Sequence, residues 1–276
     1  MKRDPILKEN TLFKESINSQ PWVKVGFRFG DKGTHTSRTI MFKELALLFE
    51  DQEQNASREA YVSAIIDQNC LGKQTVSTRK LTCQRLSELY GLDPSIPLFR
   101  ILRYLWKADE NGRPLLAVLT ALARDPLLRV TSATILQIQA GEELMRKKLT
   151  DALRQSVDNR LNNGTLNTTV RNISSSWTQS GHLKGRVRKI RQRVAPTSIV
   201  TAYALLLGYI LGIRGSGLFN TLWTKVLDTP AEELLSLASD AKRLGLLDLS
   251  QAGGVVEVSF TRMLTDDERQ LIHGTN

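Results

Sequence analysis

With 276 residues and 41% hydrophobic side chains, the chain is long enough for about two domains that bury their own cores. Its net charge of +10 and its pI near 9.7 point to a polyanionic partner. Cys70 and Cys83 are the only cysteines, which excludes a disulfide framework and a thiolate metal cluster and favours the reducing cytoplasm.

Residues 1–35 are predicted to form an N-terminal arm and a short strand. The first 16 residues, MKRDPILKENTLFKES, lack the apolar core of a secretory signal, so we expect none. The segment PWVKVGFRFG that follows the arm alternates, with Val23, Val25, Phe27 and Phe29 on one side and lysine between them. That alternation predicts the strand.

Residues 36–140 are predicted to form a helical lobe that contains a helix-turn-helix. The segments SRTIMFKELALLFE, SREAYVSAIIDQN and TVSTRKLTCQRLSELYGL carry apolar residues at helical spacing. The predicted core of the third helix is Val76, Leu81, Cys83, Leu86, Leu89 and Tyr90. Its early turns carry Ser77, Arg79 and Lys80, where a recognition helix meets bases. Helix packing without nucleic acid would give the same pattern.

Proline residues predict the starts of the next three helices. Pro97, Pro114 and Pro126 each stand where a first helical turn tolerates a missing N–H group. These helices are apolar enough to be the core that joins two halves of the molecule. A further helix, predicted over Glu142 to Val157, is expected to support the element that follows it.

Residues 141–195 are predicted to form a winged-helix-like DNA-binding segment. Its main helix is expected to start at Thr165 as N-cap and to end at Gly181. The apolar stripe of this helix is Leu166, Val170, Ile173 and Trp177. Its opposite face has no acid, and we expect four of its residues to contact base edges: Asn167, Thr168, Arg171 and Asn172.

A basic extended ribbon, HLKGRVRKIRQRV, follows that helix. Its cations are Lys184, Arg186, Arg188, Lys189, Arg191 and Arg193, and its apolar side is Leu183, Val187, Ile190 and Val194. A helix followed through a glycine by a basic ribbon is typical of a winged helix, with the helix in a major groove and the ribbon along phosphates. Between Asn159 and Leu227 there are ten cations and no acid. A solvated basic strand is the alternative, but such a concentration of charge favours nucleic acid.

Residues 196–276 are predicted to form a C-terminal helical segment that ends in a hairpin. The apolar run Ile199 to Ile213 is too short to span a membrane and is interpreted as a buried helix. A capping box of Thr229 and Glu232 is predicted to start the next helix, and a hairpin is expected around Gly253-Gly254. This hairpin carries Asp248 and Glu257 in place of the cations, which favours packing or a protein partner over DNA.

Signals for catalysis are weak. The histidines His35, His182 and His273 are scattered without metal-ligand spacing, and the phosphate-binding pattern G-x-x-x-x-G-K-[ST] does not occur. We therefore expect a protein that is not an enzyme and that uses neither a metal nor another cofactor.

The order of several segments resembles a known family. The segments are IMFKELALLF, AIIDQNCLGKQTVSTRKLTCQRLSELY, LFRILRYLW and RPLLAVLTALARDPLLR, with a turn at Asn69 and Leu71, the pair Arg85-Leu86, and a later helix from Thr168 to Leu183. Together they are similar to the small A-component, BrxA, of BREX bacteriophage-defence systems. The resemblance implies a helical protein with winged-helix elements that binds double-stranded DNA. It also implies action beside a methyltransferase and other defence proteins such as ATPase components.

The sequence as a whole predicts a mainly α protein, a helical bundle with helix-turn-helix and winged-helix elements and small β-hairpin wings. We expect cytoplasmic, non-catalytic binding of duplex DNA, mainly through phosphates. Two alternatives stay open: a helical RNA-binding protein, and a protein-interaction scaffold whose basic ribbon binds an acidic partner.

Overall fold

The computed structural model describes residues 21–157 and 160–273, so the predicted arm over residues 1–20 lies outside the described residues. The fold is mainly helical with two small antiparallel hairpins, which confirms the predicted fold class. The helices are α1 Pro21–Val25, α2 Phe42–Asp51, α3 Arg58–Ile66, α4 Val76–Tyr90, α5 Pro97–Ala108, α6 Arg113–Arg124, α7 Pro126–Leu136, α8 Arg146–Ser156, α9 Asn163–Gln179, α10 Ser198–Ile210, α11 Leu222–Lys225, α12 Ala231–Arg243 and α13 Asp266–His273. The hairpins are β1 Leu183–Lys184 with β2 Ile190–Arg191, and β3 Asp248–Ala252 with β4 Val255–Ser259.

The predicted strand at residues 21–30 is wrong. Pro21 opens the short helix α1, which Gly26 ends at φ +119°, a conformation that favours glycine. A Cβ placed at Gly26 would lie 2.6 Å from Cγ2 of Ile96, so the chain also turns there against α5. Val25 and Phe27 are both buried although they flank this turn. Packing of these apolar residues outweighs the alternation in the sequence, and no strand of the described ranges pairs with this segment.

The predicted helix pair of the N-terminal lobe is confirmed as α3 and α4, joined by residues 67–75. Thr75 caps α4 by accepting a hydrogen bond from Thr78 N at 3.2 Å, and Gly91 ends the helix at φ +104°. Of the predicted core of α4, four residues are buried: Cys83, Leu86, Leu89 and Tyr90. Val76 is 53% exposed, so its placement in the core is wrong; it stands on the first turn, outside the packed face.

The central helices form the core, as their apolar composition predicts. α5, α6 and α7 begin with proline in their first turns, and α6 is buried from Leu115 to Arg124. The apolar helix α10 is buried from Val200 to Ile210 and packs against α6 and α12. No helix in the described ranges is long and apolar enough to cross a membrane.

Residues 126–191 adopt the chain order of a winged helix, and we call them the first winged helix. After α7, residues 142–144 pair with β2 through an isolated antiparallel bridge between Glu143 and Ile190, in which Leu144 N donates to Lys189 O and Arg191 N donates to Glu142 O, each at 2.8 Å. α8 and α9 follow, and then the hairpin β1–β2 forms the wing.

Residues 198–259 repeat this order, and we call them the second winged helix. α10 is followed by a 3-10 turn against β4, by α11 and α12, and by the hairpin β3–β4. Gly253 and Gly254 are both left-handed at the hairpin turn, so the predicted hairpin is confirmed. The predicted capping box of α12 is wrong, because the N-cap is Pro230 and the Thr229 hydroxyl donates to Leu227 O at 2.9 Å.

Candidate nucleic-acid interface

α9 is the helix that the sequence predicts as the recognition helix. It starts two residues before the predicted N-cap Thr165, because the side chain of Asn162 accepts a hydrogen bond from Thr165 N at 2.8 Å. Its predicted apolar stripe is buried throughout: Leu166, Val170, Ile173 and Trp177. The stripe fixes which face of α9 is left to solvent.

The solvent face of α9 carries three of the four predicted base-contacting residues. Asn167 and Arg171 are exposed, and Thr168 is half-buried. Asn172 is a correction, since its Nδ2 donates to His35 O at 2.9 Å and the amide therefore points into the N-terminal lobe. The direction of a helical side chain depends on its neighbours, which the spacing of residues alone does not define.

Four cations of α8 also belong to this surface, although the sequence pattern predicted α8 only as a support for α9. Arg146 Nη2 donates to Asn167 O at 3.2 Å, and Arg154 Nη2 donates to Asn163 Oδ1 at 3.3 Å. These contacts place α8 cations beside the N-terminal half of α9. Lys147 and Lys148 are exposed and have no ion-pair or hydrogen-bond partner for their side chains in the described chain. The run RKK after Met145 was the available signal.

The wing places further cations at the other end of α9. Lys189 Nζ donates to Thr178 Oγ1 at 3.0 Å, and burial lowers the pKa of this ammonium group. Arg188 pairs with Glu143 at 2.7 Å but is still 77% exposed. Three other predicted cations are exposed without a side-chain partner among the described residues: Lys184, Arg186 and Arg193. Val187 stands at the tip, 90% exposed, so its placement on an apolar side is wrong.

Arg191, one of the predicted phosphate contacts, is the second correction. It is only 3% exposed, its Nη2 donates to Asp228 Oδ1, and its Nε donates to Ile135 O at 3.2 Å. The buried guanidinium therefore ties the base of the wing to Asp228, a residue that lies 37 positions away in the sequence. It has no free donor face for DNA.

His182 lies at the same base of the wing. Its Nε2 is 2.7 Å from Val226 O, and because a carbonyl only accepts, Nε2 carries the proton. The ring packs edge-on against Trp177 with centroids 4.8 Å apart. Burial lowers the pKa of His182 to about 4, so the ring is neutral in the fold. His182 and Arg191 together attach the first winged helix to the segment before α12.

The predicted contacts on the N-terminal helix-turn-helix lie elsewhere. Ser77 and Lys80 are exposed on α4, which packs mainly on α3 and α6. Arg79 is a third correction, since its guanidinium donates to Lys73 O and Ile66 O, each at 3.2 Å, and closes the turn between α3 and α4. The structure therefore brings together α8, α9 and the wing, and leaves α4 apart from them.

A buried Asp-His-Ser set joins three parts of the core. His35 Nδ1 is 2.9 Å from Asp125 Oδ2, and His35 Nε2 is 2.8 Å from Ser176 Oγ. Burial acts to raise the pKa of Asp125, but the nearby charge and hydrogen bonds of His35 outweigh it, so the pKa lies below its usual value. Ile40 N donates to the Ser176 hydroxyl, and all three side chains are buried. We assign this set to linking α9 with the N-terminal lobe.

In the described ranges, no three His, Cys, Asp or Glu side chains come together in a way that could hold a metal ion. Comparison with protein-family models and with curated proteins finds no match to this chain. The chemical character of the interface is therefore inferred from its residues alone. It is a helix without acids on its exposed face, with exposed cations beside both of its ends.

Proposed function

We propose that the protein is a non-catalytic, cytoplasmic protein that binds duplex DNA through its first winged helix. We further propose that it serves as an accessory component of a BREX-type bacteriophage-defence system. Other defence proteins, a methyltransferase or an ATPase component, would be its protein partners. The role in defence rests on the resemblance of residues 36–195 to the small A-component of those systems.

The observation that carries DNA binding is the position of the cations relative to α9. Contacts from Arg146, Arg154 and Lys189 place basic groups beside both ends of a helix whose exposed face has no carboxylate. A recognition helix in a major groove has a phosphate strand on each side of it. Cations beside the two ends of α9 can contact those strands, which supports duplex binding.

The start of α8 supports a phosphate contact of its own. Its N-cap, Met145, makes no side-chain cap, and its first turn carries Arg146, Lys147 and Lys148 without any acid. Cations at a helix N-terminus oppose the helix dipole and lower the stability of the helix. A phosphate bound there would meet both the unbonded N–H groups and the cations, and would reverse that cost.

Direct readout has few candidate residues. Arg171 is exposed near the middle of α9 and has no side-chain partner in the described chain, and Asn167 shares its face. An arginine in this position can bond guanine, and an asparagine can bond adenine. Because phosphate contacts outnumber these two residues, we expect modest sequence preference and strong salt dependence.

Binding measured at matched ionic strength tests the proposal. For about six to eight phosphate contacts, log K for duplex DNA should fall with log salt at a slope of roughly −5 to −7. Duplex RNA should bind more weakly, because its deep and narrow major groove does not admit a helix. Heparin should compete only in large excess. Equal affinity for the three polyanions would contradict recognition by a groove and favour a general basic surface.

The proposed place in defence is tested separately. In a host that carries the system and this protein, a variant that lacks DNA binding but folds normally should lose protection against phage. Full protection by such a variant would separate DNA binding from defence, and would leave the binding measurements unaffected.

A further inference from the structure

A cleft lies on a different part of the molecule from the first winged helix. It is bounded by the loop 53–55, by one face of α5, and by residues 245–246 and 262–263 near the chain end, and we call it the junction cleft. Its volume is about 860 Å³, which lies within the range of sites for small molecules. The cleft therefore has the size of a ligand site, and its lining decides which ligand it would accept.

The lining is strongly basic. Four cations line the cleft, Arg100, Arg103, Lys107 and Arg262, and the one carboxylate among the lining residues is that of Glu53. Lys107 and Arg262 are exposed, and no ion pair or hydrogen bond holds their side chains in the described ranges. Two charges are therefore available to a ligand at the opening.

The other two cations are held in place by the protein. Arg100 Nη2 donates to Glu268 at 2.7 and 2.9 Å and to Met263 O at 3.1 Å. Arg103 donates to the carbonyls of Phe49 and Gln52, at 3.2 and 2.7 Å, and no carboxylate of the described ranges pairs with it. Arg103 is only 5% exposed, and its Nε is buried without a partner. An anion in the cleft would compensate this buried charge.

The guanidinium of Arg262 lies against the backbone at Gly245. Gly245 ends α12 at φ +74°, with Gly245 N donating to Lys242 O and Leu246 N donating to Ala241 O. A Cβ placed at Gly245 would lie 2.3 Å from Arg262 Nη1, so the guanidinium rests directly on the backbone at this point. The guanidinium therefore lies against the turn after α12, and no hydrogen bond or ion pair holds it in the described ranges.

An aromatic ring completes the lining. Tyr104 is 49% exposed on α5, between the turns that carry Arg100, Arg103 and Lys107. An exposed tyrosine among cations provides a flat surface on which a base can stack. The amide side chains of Gln54 and Asn55 are exposed at the rim of the cleft and can form hydrogen bonds with the polar edge of a stacked base.

We propose that the junction cleft binds a nucleotide, with its base on Tyr104 and its phosphate between Lys107 and Arg262. A phosphate alone would use the cations but leave the ring of Tyr104 unused, and a nucleoside alone would leave the charges unpaired. This site shares no residue with the duplex-binding surface, so the proposal stands whether or not the protein binds DNA.

Calorimetric titration of the full chain tests the site with 5′-AMP, adenosine and inorganic phosphate as probes. AMP should bind at least about tenfold more tightly than either fragment. Lys107→Ala with Arg262→Ala should weaken AMP binding about tenfold or more, since both phosphate contacts are removed. Tyr104→Leu should weaken it about fivefold or more, whereas Tyr104→Phe should bind AMP like the parent. Melting curves verify that each variant is folded.

A matched control uses two lysines of the first winged helix. Lys147→Ala with Lys148→Ala should leave AMP binding unchanged and weaken binding of duplex DNA. Three results would overturn the nucleotide site: no AMP binding at about 5 mM by the folded parent, AMP binding that survives the loss of Lys107 and Arg262, or phosphate that binds as tightly as AMP. If the parent does not bind AMP and the Lys107→Ala, Arg262→Ala variant loses affinity for DNA, the cleft would instead be part of the surface that binds DNA.

Discussion

The two winged helices share a chain order and differ in charge. The first, residues 126–191, has twelve basic and four acidic residues, a net charge of +8. The second, residues 198–259, has four basic and six acidic residues, a net charge of −2. The same architecture can therefore present opposite potentials, and the side chains, not the fold, determine which of the two suits DNA.

The first turns of α12 and α8 show the physical consequence of this difference in charge. α12 begins with Glu232 and Glu233, whose negative charges stabilise the unbonded N–H groups of its first turn. α8 begins with three cations and no side-chain cap. The second winged helix thus satisfies its own helix terminus, whereas the first leaves one that an external anion would satisfy. We infer that the second module serves packing or protein contacts.

The two modules meet at the segment 226–228. His182 contacts Val226 O and Arg191 pairs with Asp228, so the base of the first wing is attached to the approach to α12. The His182 contact is buried, and the Arg191–Asp228 pair is largely buried, with side-chain exposures of 3% and 13%. If they hold the modules together, changes at this junction should affect the whole fold, whereas changes on the exposed wing should affect only binding.

The largest effect is expected from Arg191→Ala. Removing one partner of a buried ion pair leaves the other uncompensated, which costs about 3–5 kcal/mol. Asp228 already has one buried oxygen, Oδ2, without a partner, and the change would leave both without one. The free energy of unfolding from urea titration should fall by that amount, and one cooperative transition should persist if the modules unfold as a unit.

Arg193→Ala is the matched control, because Arg193 lies two residues away and is exposed without a side-chain partner in the described chain. Its stability should stay within about 0.5 kcal/mol of the parent. The double variant Arg191→Met with Asp228→Asn should recover part of the loss, since it removes both charges. Equal melting of the Arg191 and Arg193 variants would show that the junction does not hold the modules together.

A somewhat smaller loss of stability is expected at acidic pH, because of His182. The pKa of His182 is about 4 in the fold because of its burial, against about 6.5 in the unfolded chain. Between these values the unfolded chain binds a proton that the folded chain excludes, so stability falls as pH drops from about 6.5 to 4, by about 3 kcal/mol in total. Above pH 6.5 this group contributes no pH dependence.

His182→Gln separates this titration from others, because its amide can still donate to Val226 O but cannot take up a proton. Urea titrations at several pH values should give a much flatter profile over that window than the parent gives. Asp125 loses its contribution at lower pH, because the pKa of its carboxyl lies below the ordinary value. An unchanged slope between pH 6.5 and 4 would place the titrating group elsewhere.

The sequence predicted those features that depend on local pattern. Proline at helix starts, the apolar stripe of α9 and the Gly253-Gly254 turn each follow from the chemistry of a few neighbouring residues. The bridge between Glu143 and β2 in the first winged helix has no such signal, since only a few backbone hydrogen bonds define it. The alternation at residues 21–30 was misleading, since no strand among the described residues pairs with this segment.

The candidate site was predictable only in part, because charge does not reveal a side chain's partner. Arg191 and Arg193 look alike in a ribbon without acids, yet only Arg191 meets an aspartate from a distant segment. Asn172 and Arg79 likewise bond backbone carbonyls of neighbouring elements. Conversely, Lys147 and Lys148 gain their place at the interface from the way α8 packs on α9.

The smallest change in free energy is expected when exposed cations are removed from the first winged helix. This change also tests most directly whether the charge difference between the two winged helices determines DNA binding. The variant Lys147→Ala, Lys148→Ala, Arg186→Ala removes three cations that have no partner in the described chain. Duplex DNA should bind about a hundredfold more weakly at 0.1 M salt, and the salt slope should become shallower by roughly 2.7, or about 0.9 per phosphate contact. Stability should change little, because exposed charges contribute little to it. Fluorescence anisotropy over a salt series measures both quantities.

A change of the net charge by three units in the second winged helix tests whether the position of the charge matters. Glu232→Gln, Glu233→Gln and Glu257→Gln remove three exposed acids and raise the net charge by three. If total charge governed binding, this variant would bind DNA more tightly and with a steeper salt slope. If the first winged helix is the site, affinity should stay within about twofold, because the altered groups lie on the other module and exposed charges more than a Debye length apart are largely screened. A large gain would assign the interaction to the overall field of the protein, and the positions of α8 and the wing around α9 would then have no special role.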